Sequence, residues 1–599
     1  MNMPKRLFIG LLCLLLPLLI FAQQQTEKID LNVLHEIKTA ELGGGGGGGG
    51  GGRGGGRGAA RIPMMETLYN LTDRYGPRLT NSPQYRAAGD WAVGQLKEWG
   101  LSNVHLEKFA TKPDAAQTAS DDAAAADAAA AGGGRGGGAR RAAIPSWQMV
   151  GYSGAMVEPT YMPIIGYPQA WSGGTNGPIT GEAILVAPIQ TMADMDKLHG
   201  KLTGKIVLTV AAPDLALPST PLSHRYTDEE LNALIPEVFP AGGGGGGNGG
   251  GRGGRGGNNG APAMTQAEQQ AFTRRQTTFW QDEGVLALLT TSARGQTGIV
   301  FASNGSSRNG DPTKNLPSLA ITAEHYNRIA RLLEHNVPVK LSFDIKVQWD
   351  TTQTDAFNVI AEIPGTTKPN ELVMVGGHFD SWHMGTGATD NGVGSVVAME
   401  VMRILKSLNL KMDRTVRMAL WGGEEEGELG SSAYVRDHFA DTADMKLKPE
   451  HAGFAGYFNI DNGAGKIRGI YLQGNEAERP IFEQWFAAIK DLTPGIITIR
   501  NTGGTDHQSF DAVGLPGFQF IQDPLDYDSR THHSNADTFE RVQQADLEQM
   551  AIIEAFFVYN AATRPDKLPR KNLPAARGGG GRGGGRGGAG RGAAAPPPN

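Results

Sequence analysis

The sequence predicts an α/β fold, a mostly parallel central sheet with helices on both faces, into which a smaller strand-rich unit is inserted. Two textures carry this. From Phe357 to about Thr563 short apolar runs alternate with helical patterns, the mark of strand–helix–strand units. From about Trp147 to Val347 the apolar runs are short and broken by turn signals, as in a small strand-rich unit. The length agrees: 599 residues, 39% hydrophobic and 19% charged, suit a globular chain of two or three folded units.

In chain order, residues 1–22 come first. Lys5 and Arg6 precede an apolar run from Leu7 to Phe21, and Ala22 leads into the polar Gln23, Gln24 and Gln25. This is the pattern of a secretory signal peptide, and the run is shorter than the roughly 18–20 residues a membrane span needs. The expectation is a secreted or periplasmic protein with no stable membrane span once the leader is removed. Cys13, the only cysteine, lies inside that leader, so the mature chain has no disulfide and no thiol for catalysis or metal binding.

The 86 glycines are about twice what average usage of roughly 7% gives, and they are concentrated. Gly/Arg-rich stretches occupy 43–58 and a loop at 242–260, an Ala/Gly/Arg insert lies within 111–146, and a Gly/Arg/Pro tail covers 576–599. Each is too poor in apolar side chains to offset its ordering entropy, so each is expected to be a linker, loop or disordered tail. Arg53, Arg57, Arg252, Arg255, Arg582 and Arg586 resemble the Arg-Gly-Gly spacing of RNA-binding segments. Export from the cytoplasm and a net charge of −6 argue against nucleic acid as partner.

Between the first two tracts, residues 60–110 carry Met65, Leu68 and Leu71, then Ala87, Ala88, Trp91, Ala92 and Leu96, at three- and four-residue spacing. Two helices are expected there, as the first part of the main domain. In the unit 147–347, strand-like runs stand at Ala183–Ala187, Lys205–Val210, Val285–Leu289 and Gly298–Phe301. In the segment 348–565, strands are expected at Leu372–Val375, Val416–Leu420, Tyr457–Ile460 and Gly517–Ile521. Helices are expected from Gly392, Ser431 and Arg479, with a last amphipathic one over Ala545–Ala562.

Ligands of such sheets bind beyond the carboxyl ends of the strands. There the sequence places His378 and Asp380, then Glu424–Glu425–Glu426, then Asp461, and His533 follows the last strand. Asp390 opens the helix after the first of these, in Gly387-Ala-Thr-Asp390-Asn-Gly. Nitrogen and oxygen donors without thiols suit zinc. Five ligands, His378, Asp390, Glu425, Asp461 and His533, can hold two zinc ions if Asp390 bridges them, and a pair of ions about 3.5–4 Å apart acidifies water and stabilises an oxyanion. Glu424, next to a ligand but free of metal, is the candidate catalytic base.

The set His378-Phe-Asp380-Ser, Gly-Ala-Thr-Asp390-Asn-Gly, Trp421-Gly-Gly-Glu424-Glu425-Glu-Gly, Asn459-Ile-Asp461 and His533-Ser-Asn-Ala-Asp537-Thr resembles the co-catalytic di-zinc aminopeptidase and glutamate carboxypeptidase family. Gly504-Thr-Asp506 and the doubled His532-His533 bring it nearest to the carboxypeptidase Q branch. The resemblance implies the zinc exopeptidase fold. It pairs His378 with Asp461 and Glu425 with His533 across Asp390, makes Glu424 the base, and implies a cis bond after Asp390. Gly427 and the His-X-X-X-Asp-Thr spacing set the register of the glutamates and select His533 over His532. Asp380 is expected to receive the second ring N–H of His378, and Asp537 to support His533. His532 and Asp506 are tentative substrate-side groups, with Thr505 or Asp506 alternatively capping a helix. His383 either touches the site or packs beneath it. Through Gly204-Lys-Ile-Val-Leu-Thr the 147–347 unit resembles a protease-associated domain. The implied activity is release of N-terminal residues from peptides. The alternative is a carboxypeptidase or dipeptidase, which needs a cation for a free carboxylate. A non-enzymatic alternative is binding through the Arg-Gly tracts.

Overall fold

The computed structural model of the chain describes residues 26–43, 64–109, 144–186, 188–235, 266–302, 305 and 312–576. The leader and most of each low-complexity tract lie outside these residues. Two eight-stranded sheets organise the described chain. Strand β1 (Ser102–Phe109) belongs to the first sheet. The second is built from β2 (Ser146–Glu158), β3 (Met162–Pro163), β4 (Gly166–Pro168), β5 (Ile179–Leu185), β6 (Lys205–Leu208), β7 (Ala287–Thr290), β8 (Ser318–Ile321) and β9 (Lys340–Asp350). The chain then returns to the first sheet with β10 (Ala356–Ile363), β11 (Lys368–His378), β12 (Arg414–Trp421), β13 (Phe454–Asn459), β14 (Ile467–Tyr471), β15 (Ile496–Thr498) and β16 (Gly517–Gln522).

The order of the first sheet is β1-β10-β12-β11-β13-β16-β14-β15. Its centre is parallel, β12 with β11, β11 with β13 and β13 with β16, while β1, β10 and β14 join antiparallel. The central strands are buried on both faces and rich in Val, Met, Ala and Phe, as a parallel layer between helices requires. Register then places the chemistry. Gly376 lies opposite Asn459 and His378 opposite Trp421, so His378 and Asp461 come out at the same level, with Glu424 three residues beyond Trp421.

The helices follow the sequence patterns. Those at Met64–Tyr69 and Pro83–Glu98 bury Leu68, Ala88, Ala92 and Leu96, and Ser82 caps the second by accepting from the Tyr85 N–H. Val393–Ser407 and Gln544–Thr563 pack against each other and on the sheet. A further helix, Leu31–Leu42, capped by Asp30, buries Leu34 and Ile37 in the same core. One strand expectation is corrected: Gly298–Phe301 joins neither sheet and makes only an isolated bridge, Phe301 to Ser534. Ile299 and Val300 are buried, and Val300 packs with Ala320 of the second sheet and with Met384.

Glu554 stands in the middle of the last helix, Gln544–Thr563, fully inaccessible, and neither carboxyl oxygen meets a hydrogen-bond donor. Burial holds its pKa well above the ordinary 4.5. Below that value folded and unfolded chains both keep the proton; above it only the folded chain does, so this group weakens the fold as pH rises. Glu554→Met is therefore expected to raise stability at neutral pH by about 1–3 kcal/mol, the cost of an unmet buried polar group. Denaturant titrations of both proteins should show the advantage shrinking as pH falls toward 4.5.

Candidate metal centre

The carboxyl ends of β11, β12 and β13 and the loop after β16 converge on Asp390. The main-chain carbonyl of Asp380 accepts a hydrogen bond from Nδ1 of His378 at 3.0 Å, which turns Nε2 inward. Nε2 lies 3.2 Å from Oδ1 of Asp390 and 3.3 Å from Oδ1 of Asp461. On the other side, Nε2 of His533 lies 3.4 Å from Oδ2 of Asp390 and 2.9 Å from Oε2 of Glu425. Asp390 thus shows one oxygen to each histidine, as a bridge would. Two compact groups of ligand atoms result, His378 with Asp390 and Asp461, and Asp390 with His532 and His533.

The donor set fits cations. Nε2 of His378, Oδ2 of Asp390, both oxygens of Glu425 and Oδ1 of Asp461 are buried, and none makes a hydrogen bond. Zinc bonds of about 2.0–2.1 Å in tetrahedral array put neighbouring ligand atoms about 3.3–3.4 Å apart. Three of the four separations match that edge, and the Glu425–His533 contact, at 2.9 Å, is shorter. Without a cation the centre takes up protons instead. Burial resists protonation of His378, but the Asp461 and Asp390 carboxylates outweigh it and raise its pKa well above 6.5. Burial and then the Asp390 charge push Glu425 up to about 7, and Glu425 overrides burial to raise His533 to about 9.

Local sequence explains how the loops hold. Gly387 adopts φ 67°, and a Cβ there would sit 2.3 Å from Ser381 Cβ, so glycine alone lets the Asp390 loop turn against the His378 loop. The Asp390–Asn391 peptide is cis. Asn391 then donates to the Ile460 carbonyl at 2.7 Å and accepts from Gly394 N–H at 2.8 Å, tying the start of the following helix to the tip of β13.

The supporting groups differ from expectation. The Asp380 carboxylate does not meet the His378 ring, its Oδ1 standing 3.8 Å from Nδ1. It accepts instead from the Glu424 and Glu425 amides, each at 3.2 Å, and from Thr80 at 2.9 Å, orienting the glutamate loop. Asp537 supports Asp390 rather than His533, accepting from the amides of Thr389 and Asp390 at 2.6 and 3.2 Å. Asp506 begins a short helix without capping it and is buried, and Thr505 accepts from Asn459, so neither caps a helix. The His532 ring lies 3.7 Å from that of His533, and its Nδ1 makes no hydrogen bond. His383 packs beneath the site: buried, with its pKa lowered to about 4 by desolvation, it donates through Nε2 to the Pro168 carbonyl at 2.7 Å.

Two groups have roles that the sequence did not show: Tyr527 stands near His533 in sequence but its direction is not readable there, and Arg78 gave no signal. Tyr527 donates to Asp390 Oδ1 at 3.0 Å. Arg78, fully buried, donates to the carbonyls of Leu71, Phe379, Thr386 and Gly387, clamping the His378 and Asp390 loops together. A lone arginine 300 residues before His378 gives no local signal; only its place in a turn next to the predicted helices could have drawn attention.

Residues 358–558 match the model of peptidase family M28. Carboxypeptidase Q of Homo sapiens is 30% identical over 262 residues, 43% of this chain and 52% of that one, so the match spans about half the length of the human protein. Carboxypeptidase Q of Mus musculus is 25% identical over 509 residues, 84% of this chain and 87% of that one. Among solved structures, a peptidase M28 precursor from Shewanella amazonensis SB2B shares the fold, with TM-score 0.59, 21% identity, and coverage of 91% of this chain and 99% of that one.

Because protons and metal compete for Glu425 and His533, zinc affinity is expected to rise as pH passes through about 7 and then about 9. Calorimetric titration of metal-free protein in two buffers of different ionisation enthalpy should record proton release on binding, largest at the lower pH.

Proposed function

From the premise that residues 358–558 form a peptidase family M28 domain, we propose that the protein is an exported metallo-exopeptidase holding two zinc ions, one on His378 and Asp461, the other on Glu425 and His533, with Asp390 shared. The observation that carries this is the set of buried, hydrogen-bond-free donors spaced as metal ligands on either side of one carboxylate. Bound there, the ions would polarise a scissile carbonyl and acidify water. The leader at 1–22 is the basis for export, and among the described residues no helix is long and apolar enough to cross a membrane. The second sheet is read as the protease-associated-like insert.

Glu424 is the proton carrier in this reading. Its loop is fixed by Asp380, and burial, with the Asp461 and Asp506 charges, holds its pKa well above 4.5 against the pull of His378. A carboxylate of raised pKa takes a proton from water and returns it to the leaving amine near neutral pH. His532, held neutral with its pKa lowered to about 3 by burial and His533, has a ring N–H to offer the developing oxyanion. Trp382, against His533 at 5.9 Å, and the loop around Phe301 wall one side of the centre. Such a wall favours a chain end over a polypeptide running through, and an aminopeptidase is the leading reading.

One observation favours the carboxypeptidase or dipeptidase reading. Arg294, from the second body, lies over the Phe301 ring at 4.2 Å, and its charge opposes protonation of both His532 and His533. A cation so placed suits the free carboxylate of a short peptide.

Glu424→Ala is expected to retain both ions while turnover falls by about 10²–10⁴-fold; retained turnover would remove Glu424 from the role of base. Product analysis on unblocked, N-acetylated and C-amidated peptides, with and without chelator, separates the two specificities. An aminopeptidase cleaves all but the acetylated set. A carboxylate-reading enzyme rejects the amidated set, and Arg294→Gln would then raise KM for free-acid substrates alone.

A further inference from the structure

The run Gly298–Phe301, which joins neither sheet, lies along the loop that carries His533. The Ala302 N–H donates to the His533 carbonyl at 2.7 Å, and Phe301 bridges Ser534. Asn535 completes the contact with both its main chain and its side chain. Its N–H donates to the Val300 carbonyl at 3.1 Å, its Oδ1 accepts from the Val300 N–H at 2.8 Å, and its Nδ2 donates to the Gly298 carbonyl at 3.3 Å. Val300 is itself buried, so these bonds are shielded from competing water.

The loop needs such support. His533 is a non-glycine residue at φ 59°, a left-handed conformation that its neighbours must hold. Within the loop, Ser534 N–H bonds back to Thr531, Asp537 N–H to Ser534, and Ser534 Oγ accepts from Ala536 N–H. None of these engages the carbonyl of His533 or the side chain of Asn535. That side of the loop is held by residues 298–302, which belong to the body of the second sheet. His378 and Asp461, in contrast, are fixed by the register of β11 and β13 within the first sheet.

We propose that Asn535, locked to residues 298–302, is a positioning residue for the metal site built on Glu425 and His533, so that the second body sets the occupancy of that site and leaves the His378–Asp461 site unaffected. The inference rests on the two-ion reading above. It makes the second body part of the metal centre through main-chain hydrogen bonds, without contributing a ligand.

The test is zinc titration of the metal-free protein against competing chelators, with the melting temperature of each metal-free protein recorded alongside. Wild type should bind two ions. In Asn535→Ala the second should weaken by about 10–100-fold, the range seen when an outer partner of a metal ligand is lost, while the first is unchanged. Ala302→Pro, which removes the amide facing His533, should do the same. Should Asn535→Ala fail to fold, Asn535→Asp, which keeps the acceptor for Val300 and loses the donor to Gly298, carries the same comparison. Unchanged affinity for both ions in the variants overturns this inference and leaves the two-ion reading standing, and equal weakening of both ions in folded variants also overturns it. A wild type that binds fewer than two ions overturns both.

Discussion

Three buried carboxylates, Asp390, Glu425 and Asp461, gathered at one edge of a parallel sheet, are the constraint around which the rest is arranged. Two like charges about 4 Å apart repel by on the order of 4 kcal/mol at an effective dielectric of 20. Two such pairs approach the roughly 5–15 kcal/mol by which a domain is stable at all. The edge therefore favours compensating positive charge, and the carboxylates that raise the pKa values of His378 and His533 express that preference. Divalent cations meet it more fully.

The surroundings keep those charges in place. Arg78 puts a buried cation behind the site, yet donates only to main-chain carbonyls and so does not neutralise the ligands directly. Asp380 and Asp537 each gather amides, one set from the glutamate loop and the other from the Asp390 loop. Four loops from distant parts of the chain are thereby fixed relative to one another before any ligand binds, which is what a preorganised site needs.

Much of this was legible in the sequence because it depends on strand ends. His378, Glu424, Glu425 and Asp461 follow apolar runs, and a parallel sheet brings such positions together whatever the rest of the chain does. The helices at Val393–Ser407 and Gln544–Thr563 were visible as long apolar stretches, but the second, expected to be amphipathic, is buried on nearly all sides, because it packs between the sheet and its neighbouring helices rather than facing solvent. What escaped depends on which atoms a loop turns inward. Asp380 was placed on the His378 ring, but the main-chain carbonyl takes that bond and frees the carboxylate for the next loop. Asp537 is close to His533 in sequence, yet it points to Thr389 and Asp390. Tyr527, Arg78 and the Gly298–Phe301 contact act across separations that no periodicity encodes. The apolar letters of Gly298–Phe301 suggested a strand because burial between two bodies and burial within a sheet select the same residues.

The side-by-side register of β11 and β13 also governs where the chain can change length. A one-residue shift in either strand would separate His378 from Asp461 by a full step and turn one of them to the opposite face. All four low-complexity tracts lie outside the stretch from β10 to the end of the last helix, which contains all five proposed ligands. The repetitive tracts thus fall in the approaches, in the unit between β1 and β10, and in the tail. The ligand-bearing stretch behaves as a fixed-length measure, with its spacing set by the tips of its strands.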